Sequence, residues 1–296
     1  MNTVIDIQGL TKQYPRKPRP ALADLTMRVY QGEIFGYLGP NGAGKTTTIR
    51  CMLDFVRPTQ GHITIMGLNV QANSVAVRRE VGFLPAELAL WEHMSGYDTL
   101  RYMADLRPGC DLRYAFELAE RLRLDLRQRA QEYSTGNKRK LGIIQAMMHR
   151  PPLLILDEPT TGLDPLVRHT FNDLLHEARD RGQTVFLSSH ILSEVEAVCD
   201  RVAVLREGTL RRVERVDVLK NGLTRTVTFY SDVVLGPVGW SALAGVKRAE
   251  GGPGYVRVYV TGSMDAVIKY AAQFPIEDMR VDAAGLEQVF MEFYNG

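Results

Sequence analysis

The sequence predicts an α/β protein with a mostly parallel central sheet, a helical insertion and a small α+β tail. Three observations predict this. A short apolar run, Ile34 to Leu38, enters a glycine-rich turn and then a helical stretch. Two further runs, Leu153-Leu154-Ile155-Leu156 and Thr184-Val185-Phe186-Leu187, are continuously apolar, the pattern of parallel strands covered on both faces. From about residue 88 to residue 150 the apolar positions follow the helical period instead.

In chain order, Val4-Ile5-Asp6-Ile7 alternates like a half-buried strand, and Tyr14 to Pro20 is a Pro- and Arg-rich loop. Leu25 to Tyr30 alternates again, Gln31-Gly32 turns the chain, and Glu33 to Leu38 is a strand. Thr46 to Leu53 follows as a helix and His62 to Met66 as a strand. Within the insertion, Leu118, Ala119, Leu122 and Leu126 fit one helical face. Helices over Leu166 to Arg181 and Leu192 to Cys199 alternate with the buried strands, which builds a parallel sheet. Arg201 to Leu205, the Glu207-Gly208 turn and Thr209 to Val213 form a hairpin. Beyond Asn221-Gly222 the composition shifts, with strands at Thr226 to Tyr230 and Val256 to Val260 and helices at Met264 to Gln273 and Leu286 to Tyr294. Net charge falls from about +4 over residues 1–220 to about −2 over the rest. The expected domains are residues 1–220, with the insertion at about 88–150, and a small α+β accessory domain at 221–296.

The chain has 296 residues, 45% of them hydrophobic, enough for a large core and a smaller one. Its net charge of +2 argues against a nucleic-acid binder driven by phosphate neutralisation, and no nucleic-acid partner is expected. Cys51, Cys110 and Cys199 are odd in number and widely spaced, so neither a disulfide framework nor a zinc site is suggested. No apolar stretch approaches the ~18 residues that span a bilayer. The expectation is a soluble, cytoplasmic chain, with any membrane part supplied by another polypeptide.

Gly39-Pro40-Asn41-Gly42-Ala43-Gly44-Lys45-Thr46 fits the pattern G-x-x-x-x-G-K-[ST], with Thr47 next. Glycines let the backbone curl so that successive N–H groups point at phosphate oxygens. The helix that follows adds its positive N-terminal end. Lys45 supplies a point charge for the β- and γ-phosphates, and the Thr46 hydroxyl suits Mg²⁺. The strand before and the helix after are the context that this motif requires.

The run Leu153 to Leu156 ends in Asp157-Glu158. Carboxylates at a strand's C-terminal edge lie where ligands sit in open α/β sheets. Asp157 can hold Mg²⁺ through water, and Glu158 can act as general base on the attacking water. Ser188-Ser189-His190 ends the other buried run, which places His190 on the same edge, where it can contact the γ-phosphate. Ser134 and Gly136, just before a helical stretch, form a cap and a second anion site for which this chain has no second phosphate loop. That site can serve the nucleotide of a neighbouring copy paired antiparallel.

The phosphate loop, Ser134-Thr135-Gly136-Asn137, Leu153 to Glu158, Thr161-Gly162-Leu163-Asp164 and His190, in this order, resemble the ATP-binding cassette of ABC transporters over about residues 3 to 215. The tail, with Leu286-Glu287-Gln288-Val289-Phe290, resembles the accessory domains of ABC-2-type export ATPases. The resemblance implies a P-loop NTPase fold with an antiparallel N-terminal β part. It implies Tyr14 as the aromatic that stacks on adenine and Ser134 with Gly136 as the clamp on a partner's γ-phosphate. It further implies Asp164 in the loop that crosses a dimer interface, and Glu158 with His190 as base and switch. Two departures stand out. The serine motif reads Ser-Thr-Gly-Asn where Ser-Gly-Gly-Gln is common, and Ala86 follows Pro85 where family members carry Gln or Glu, in the loop Val81-Gly82-Phe83-Leu84-Pro85 entering the insertion. Alanine offers no side-chain acceptor for Mg²⁺, so Glu87 is the candidate replacement.

The expected function is that of the ATP-hydrolysing subunit of an exporter, with ATP and Mg²⁺ as cofactors, a homodimer or heterodimer of ATPase subunits, and a separate multi-spanning permease that holds it at the inner face of the membrane. A non-transport ABC ATPase acting as a nucleotide-switched clamp is the alternative, although such proteins usually fuse two cassettes or carry long coiled coils. An unrelated P-loop kinase or GTPase is disfavoured by Ser134 and His190 and by the lack of Asn-Lys-x-Asp.

Overall fold

The computed structural model describes residues 2–107, 110–221 and 224–282. The chain divides into two compact units, Met1–Glu214 and Arg215–Gly296.

The first unit opens with strands β1 (Thr3–Lys12), β2 (Leu22–Tyr30) and β3 (Ile34–Leu38), then helix α1 (Lys45–Met52). Next come β4 (Gln60–Ile65), β5 (Leu68–Asn69), α2 (Ser74–Arg79) and β6 (Val81–Leu84). The insertion carries α3 (Gly96–Asp105), α4 (Leu112–Arg121) and α5 (Thr135–Met147). The remainder is β7 (Leu153–Asp157), α6 (Pro165–Asp180), β8 (Thr184–Ser189), α7 (Leu192–Val198), β9 (Arg201–Arg206) and β10 (Thr209–Arg215).

Two sheets share this unit. The first runs β2-β1-β4-β5, antiparallel throughout, with Ile5, Ile7, Leu10, Leu25 and Val29 turned inward at alternate positions and fully buried. The second runs β10-β9-β3-β8-β7-β6, and its strands β9, β3, β8, β7 and β6 are parallel. All residues of β3, β7 and β8 are buried, which is why these runs read as unbroken apolar stretches. The register sets Leu38 opposite Ser189 and Asp157 opposite Ser188, so three strand ends finish level along one edge. That edge carries the site.

Three expectations are corrected here. Val81 to Leu84 is not loop but the edge strand β6, paired in parallel with β7; only Pro85 begins the loop. Leu126 does not continue the α4 face: the helix ends at Arg121, Leu122 caps it, and Arg123 turns left-handed at φ +54°. Leu122 still buries fully, while Leu126 packs half-buried beside Gly96. Helix α2 lies before the insertion, in a stretch where no helix was expected.

The second unit is built from α8 (Val216–Asn221), β11 (Thr224–Tyr230), α9 (Pro237–Ser241), β12 (Val246–Gly252), β13 (Tyr255–Thr261), α10 (Asp265–Ala271) and β14 (Asp278–Asp282). Its antiparallel sheet has the order β12-β13-β11-β14. Val227, Phe229, Val256, Val258 and Val260 close over Trp240, which is 1% exposed and stacks on Phe229 with centroids 4.9 Å apart. The strands β12 and β14 and the helix α9 add to the elements read from the sequence. The helix expected at Leu286 to Tyr294 lies outside the described residues.

Candidate nucleotide site

The phosphate loop runs from Gly39, bonded through its amide to the Ser189 carbonyl, to the first turn of α1. Gly44 caps that helix at φ +111°. A Cβ there would lie 2.7 Å from the Ala21 carbonyl and 2.8 Å from Leu22, so only glycine lets the loop pass so close to the start of β2. Lys45 is buried, and its ammonium donates to the Gly39 carbonyl at 2.6 Å and the Pro40 carbonyl at 3.3 Å. The loop therefore pins its own lysine above the curl of backbone amides.

The acidic strand end meets this loop. Asp157, 1% exposed, accepts hydrogen bonds from the Thr46 hydroxyl at 2.9 Å and from the Ser188 hydroxyl at 2.5 Å. Glu158 has φ +51°, a left-handed conformation that costs a non-glycine residue about 1 kcal/mol. The turn swings its carboxylate back over the loop. One oxygen lies 3.1 Å from the Lys45 ammonium and the other 2.7 Å from Nδ1 of His190. Its amide donates to Ser188, so β8 holds both the backbone of Glu158 and the ring that faces its carboxylate. The Ser189 hydroxyl donates to the buried Glu194 and accepts from the Ile191 amide, which fixes the chain after β8 where His190 leaves it.

A cleft of about 410 Å³ joins these groups, lined by Pro40, Asn41, Gly42, Gly44, Lys45, Thr46, Thr47, Ala86, Glu158, Thr161 and His190, with Ala21 beside them. Gly39 and Ala43 belong to the same loop; Ala43 is buried beneath it. Glu87 is exposed and lies outside this lining, where its neighbour Ala86 takes part. Tyr14 also lies outside the lining, half-buried just past β1, with the Lys12 ammonium 5.2 Å above its ring.

Ser134 and Gly136 start α5 and line no part of the cleft. Ser134 caps the helix, its hydroxyl accepting from the Asn137 amide at 3.2 Å. A Cβ on Gly136 would lie 2.7 Å from the carbonyl of Gly162, so the serine turn is packed against the segment Thr161 to Asp164. Asp164 ends that segment and caps α6, accepting from the Val167 amide at 2.9 Å. This bond, with Lys140 nearby, holds its carboxyl below the usual range.

One residue of this region was not singled out from the sequence. Arg139 on α5 is buried, and its guanidinium reaches both the loop after β6 and the loop after β7. The Lys138-Arg139-Lys140 run offered only a weak signal, since three adjacent cations usually make a solvated face.

Comparison with known proteins follows the same lines. The family model described as ABC transporter matches residues 22–161. The bacitracin transport ATP-binding protein of Enterococcus faecalis is 38% identical over 225 residues, 74% of this chain and 70% of that one. The chain belongs to the ATP-binding subunits of ABC transporters. A solved ATP-binding subunit of an ABC transporter superposes with a TM-score of 0.68 at 30% identity, covering 74% of this chain and 92% of that one. A second cassette, solved as a dimer in a post-hydrolysis state with ADP and Pi, shares the fold at TM-score 0.66 and 20% identity, covering 72% and 98%. As an ABC ATP-binding subunit, the chain binds and hydrolyses ATP. Its P-loop cassette, mostly parallel sheet and antiparallel N-terminal sheet are those that the sequence predicts.

Proposed function

We propose that the chain powers export through a separate multi-spanning permease by ATP-driven closure of two ATPase subunits, identical or paired with a second kind. One observation carries this. Lys45, Thr46, Glu158 and His190 share a cleft, while the serine turn of α5 is not part of it. A second chain turned head to tail would bring its own Ser134 and Gly136 over the γ-phosphate, and each cleft would be completed by the other subunit. The dimeric cassette of the same fold supports the pairing, and the bacitracin transport relative supports a transport role.

The geometry supports the following roles. Successive loop amides, Lys45 and the N-terminus of α1 bind the triphosphate. Thr46 and Asp157 place a hydroxyl and a carboxylate 2.9 Å apart, hard oxygen donors that fit Mg²⁺, which when bound offsets the charge of the β- and γ-phosphates. Glu87 would join them only by turning inward from the exposed loop. Tyr14 would stack on the adenine. Glu158 takes the proton of the attacking water as its oxygen bonds to the γ-phosphorus and the β–γ bridging oxygen leaves with ADP. His190, 2.7 Å from Glu158, orients that carboxylate and the water. Asp164 would lie in the segment that crosses between subunits.

Among the described residues no helix is long and apolar enough to cross a membrane. The permease would hold the pair at the inner face of the membrane, and the insertion offers it exposed Trp91, Tyr97, Tyr102 and Leu106. Residues 221–296 would be an accessory α+β domain. The test is Ser134→Arg. It is expected to leave ATP affinity within about threefold while turnover falls on the order of 10²-fold, the loss seen for one electrostatic donor. Turnover within threefold of the parent overturns the two-subunit site.

A further inference from the structure

Arg139 is 4% exposed, and its bonds end on main-chain carbonyls. Nε donates to Pro159 at 3.1 Å; Nη1 donates to Pro85 at 2.6 Å and Ala86 at 3.1 Å; Nη2 donates to Asp157 at 2.5 Å and to Glu158. One planar cation thus ties α5 to the loop after β6 and to the left-handed turn at Glu158. Burial pushes the guanidinium down to about 10, against the pull of Asp157 and Glu158, so it stays charged at neutral pH. A buried charge with carbonyl partners alone is an expensive way to fill space. What it supplies beyond packing is a rigid fork of five donors. The fork grips Asp157 and Glu158 by their carbonyls while the Glu158 carboxylate faces Lys45 and His190.

We propose that Arg139 is a positioning residue that sets the Glu158 turn and the Ala86 loop in register with the first turn of α5, so that docking of Ser134 on a second subunit's nucleotide is transmitted to this chain's own hydrolytic carboxylate. The proposal rests on the roles of Glu158 and Ser134 given above. Ser134 lies five residues before Arg139, so a shift of the α5 N-terminus moves the fork, and the fork moves Glu158. A misplacement near 1 Å at a reacting group costs on the order of 10²-fold in rate.

The experiment uses the full chain with Arg139→Lys and Arg139→Gln, and reads ATP affinity with a fluorescent ATP analogue alongside kcat and KM. Lysine keeps the charge but loses the fork, so kcat should fall about tenfold for Arg139→Lys and on the order of 10²-fold for Arg139→Gln. KM and ATP affinity should stay within about threefold, because Lys45 and Thr46 are untouched. The Arg139→Gln loss should shrink in a Ser134→Arg background, because without docking Arg139 has no signal to transmit. Parental kcat in Arg139→Lys, or an Arg139→Gln loss undiminished in that background, overturns the proposal. So does an Arg139→Lys chain that fails to fold or loses binding and turnover together, which would leave Arg139 a folding role only. Glu158→Gln is the control: if it turns over at the parental rate, the role of Glu158 falls; if it is slow while Arg139→Lys is parental, only the role of Arg139 falls.

Discussion

Replacing Glu158 by Gln separates two jobs of one carboxylate. In the cleft, Glu158 stands 3.1 Å from Lys45, with side chains 17% and 6% exposed, and 2.7 Å from His190. The amide keeps the shape and loses the proton acceptor. General-base loss costs on the order of 10²–10⁴-fold in rate, or about 3–5 kcal/mol of barrier. Binding should move the other way. The carboxylate shares Lys45 with any phosphate that enters and repels it. A unit-charge pair at ~4 Å is worth about 4 kcal/mol before screening at an effective dielectric near 20. Water and the retained amide contacts cut this sharply, leaving an expected three- to tenfold tightening for ATP, about 0.6–1.4 kcal/mol. Single-turnover phosphate release gives the first number and equilibrium titration with a fluorescent ATP analogue gives the second. Hydrolysis within threefold of the parent, or ATP binding weakened tenfold, would refute the placement of Glu158 between lysine and water.

Other expectations are shorter. His190→Ala should lower kcat on the order of 10²-fold with ATP affinity nearly unchanged, since the ring touches Glu158 and not the loop lysine; initial rates over a range of ATP decide it. Glu87→Ala should leave Mg²⁺-dependent turnover within threefold, because Glu87 is exposed and outside the cleft; a large loss would give the metal a third ligand. Burial, and then Arg107, push His149 down to about 4. The unfolded chain takes up that proton below about pH 6.5 while the native one resists to about pH 4, so stability should fall across this window and level off beneath it. His149→Gln should flatten that slope in melts taken from pH 7 to pH 4. Trp240→Ala should destabilise the second unit by about 3–5 kcal/mol, read as faster amide exchange in β11 and β13, with ATP affinity unchanged.

Legibility in the sequence tracked how local the cause was. The phosphate loop was readable because its glycines, lysine and threonine act within eight residues. Strands β7 and β8 were readable because burial on both faces leaves no polar interruption before Asp157 and Ser188. The cap at Ser134 was readable from one side chain and one amide. Strand β6 was not: it has four residues, and its Gly82 is there because α5 packs on it, a Cβ meeting the Ala146 carbonyl at 2.1 Å. Helical periodicity carried Leu126 onto α4 because it does not register the left-handed stop at Arg123. Strand β14 alternates, Asp278-Met279-Arg280-Val281-Asp282, but it is exposed at every residue and offers only two apolar positions, too short a signal to stand out. Arg139 was hidden for the most physical reason: its partners are carbonyls, which every residue has, contributed by segments some 20 and 50 positions away.

The most direct test is the mass of the Glu158→Gln chain by sedimentation, with ATP and then with ADP. Two half-sites that complete each other predict twice the chain mass under ATP, the single mass under ADP, and no ATP-driven pairing once Ser134→Arg is added. A Glu158→Gln chain that binds ATP and stays single would contradict the account.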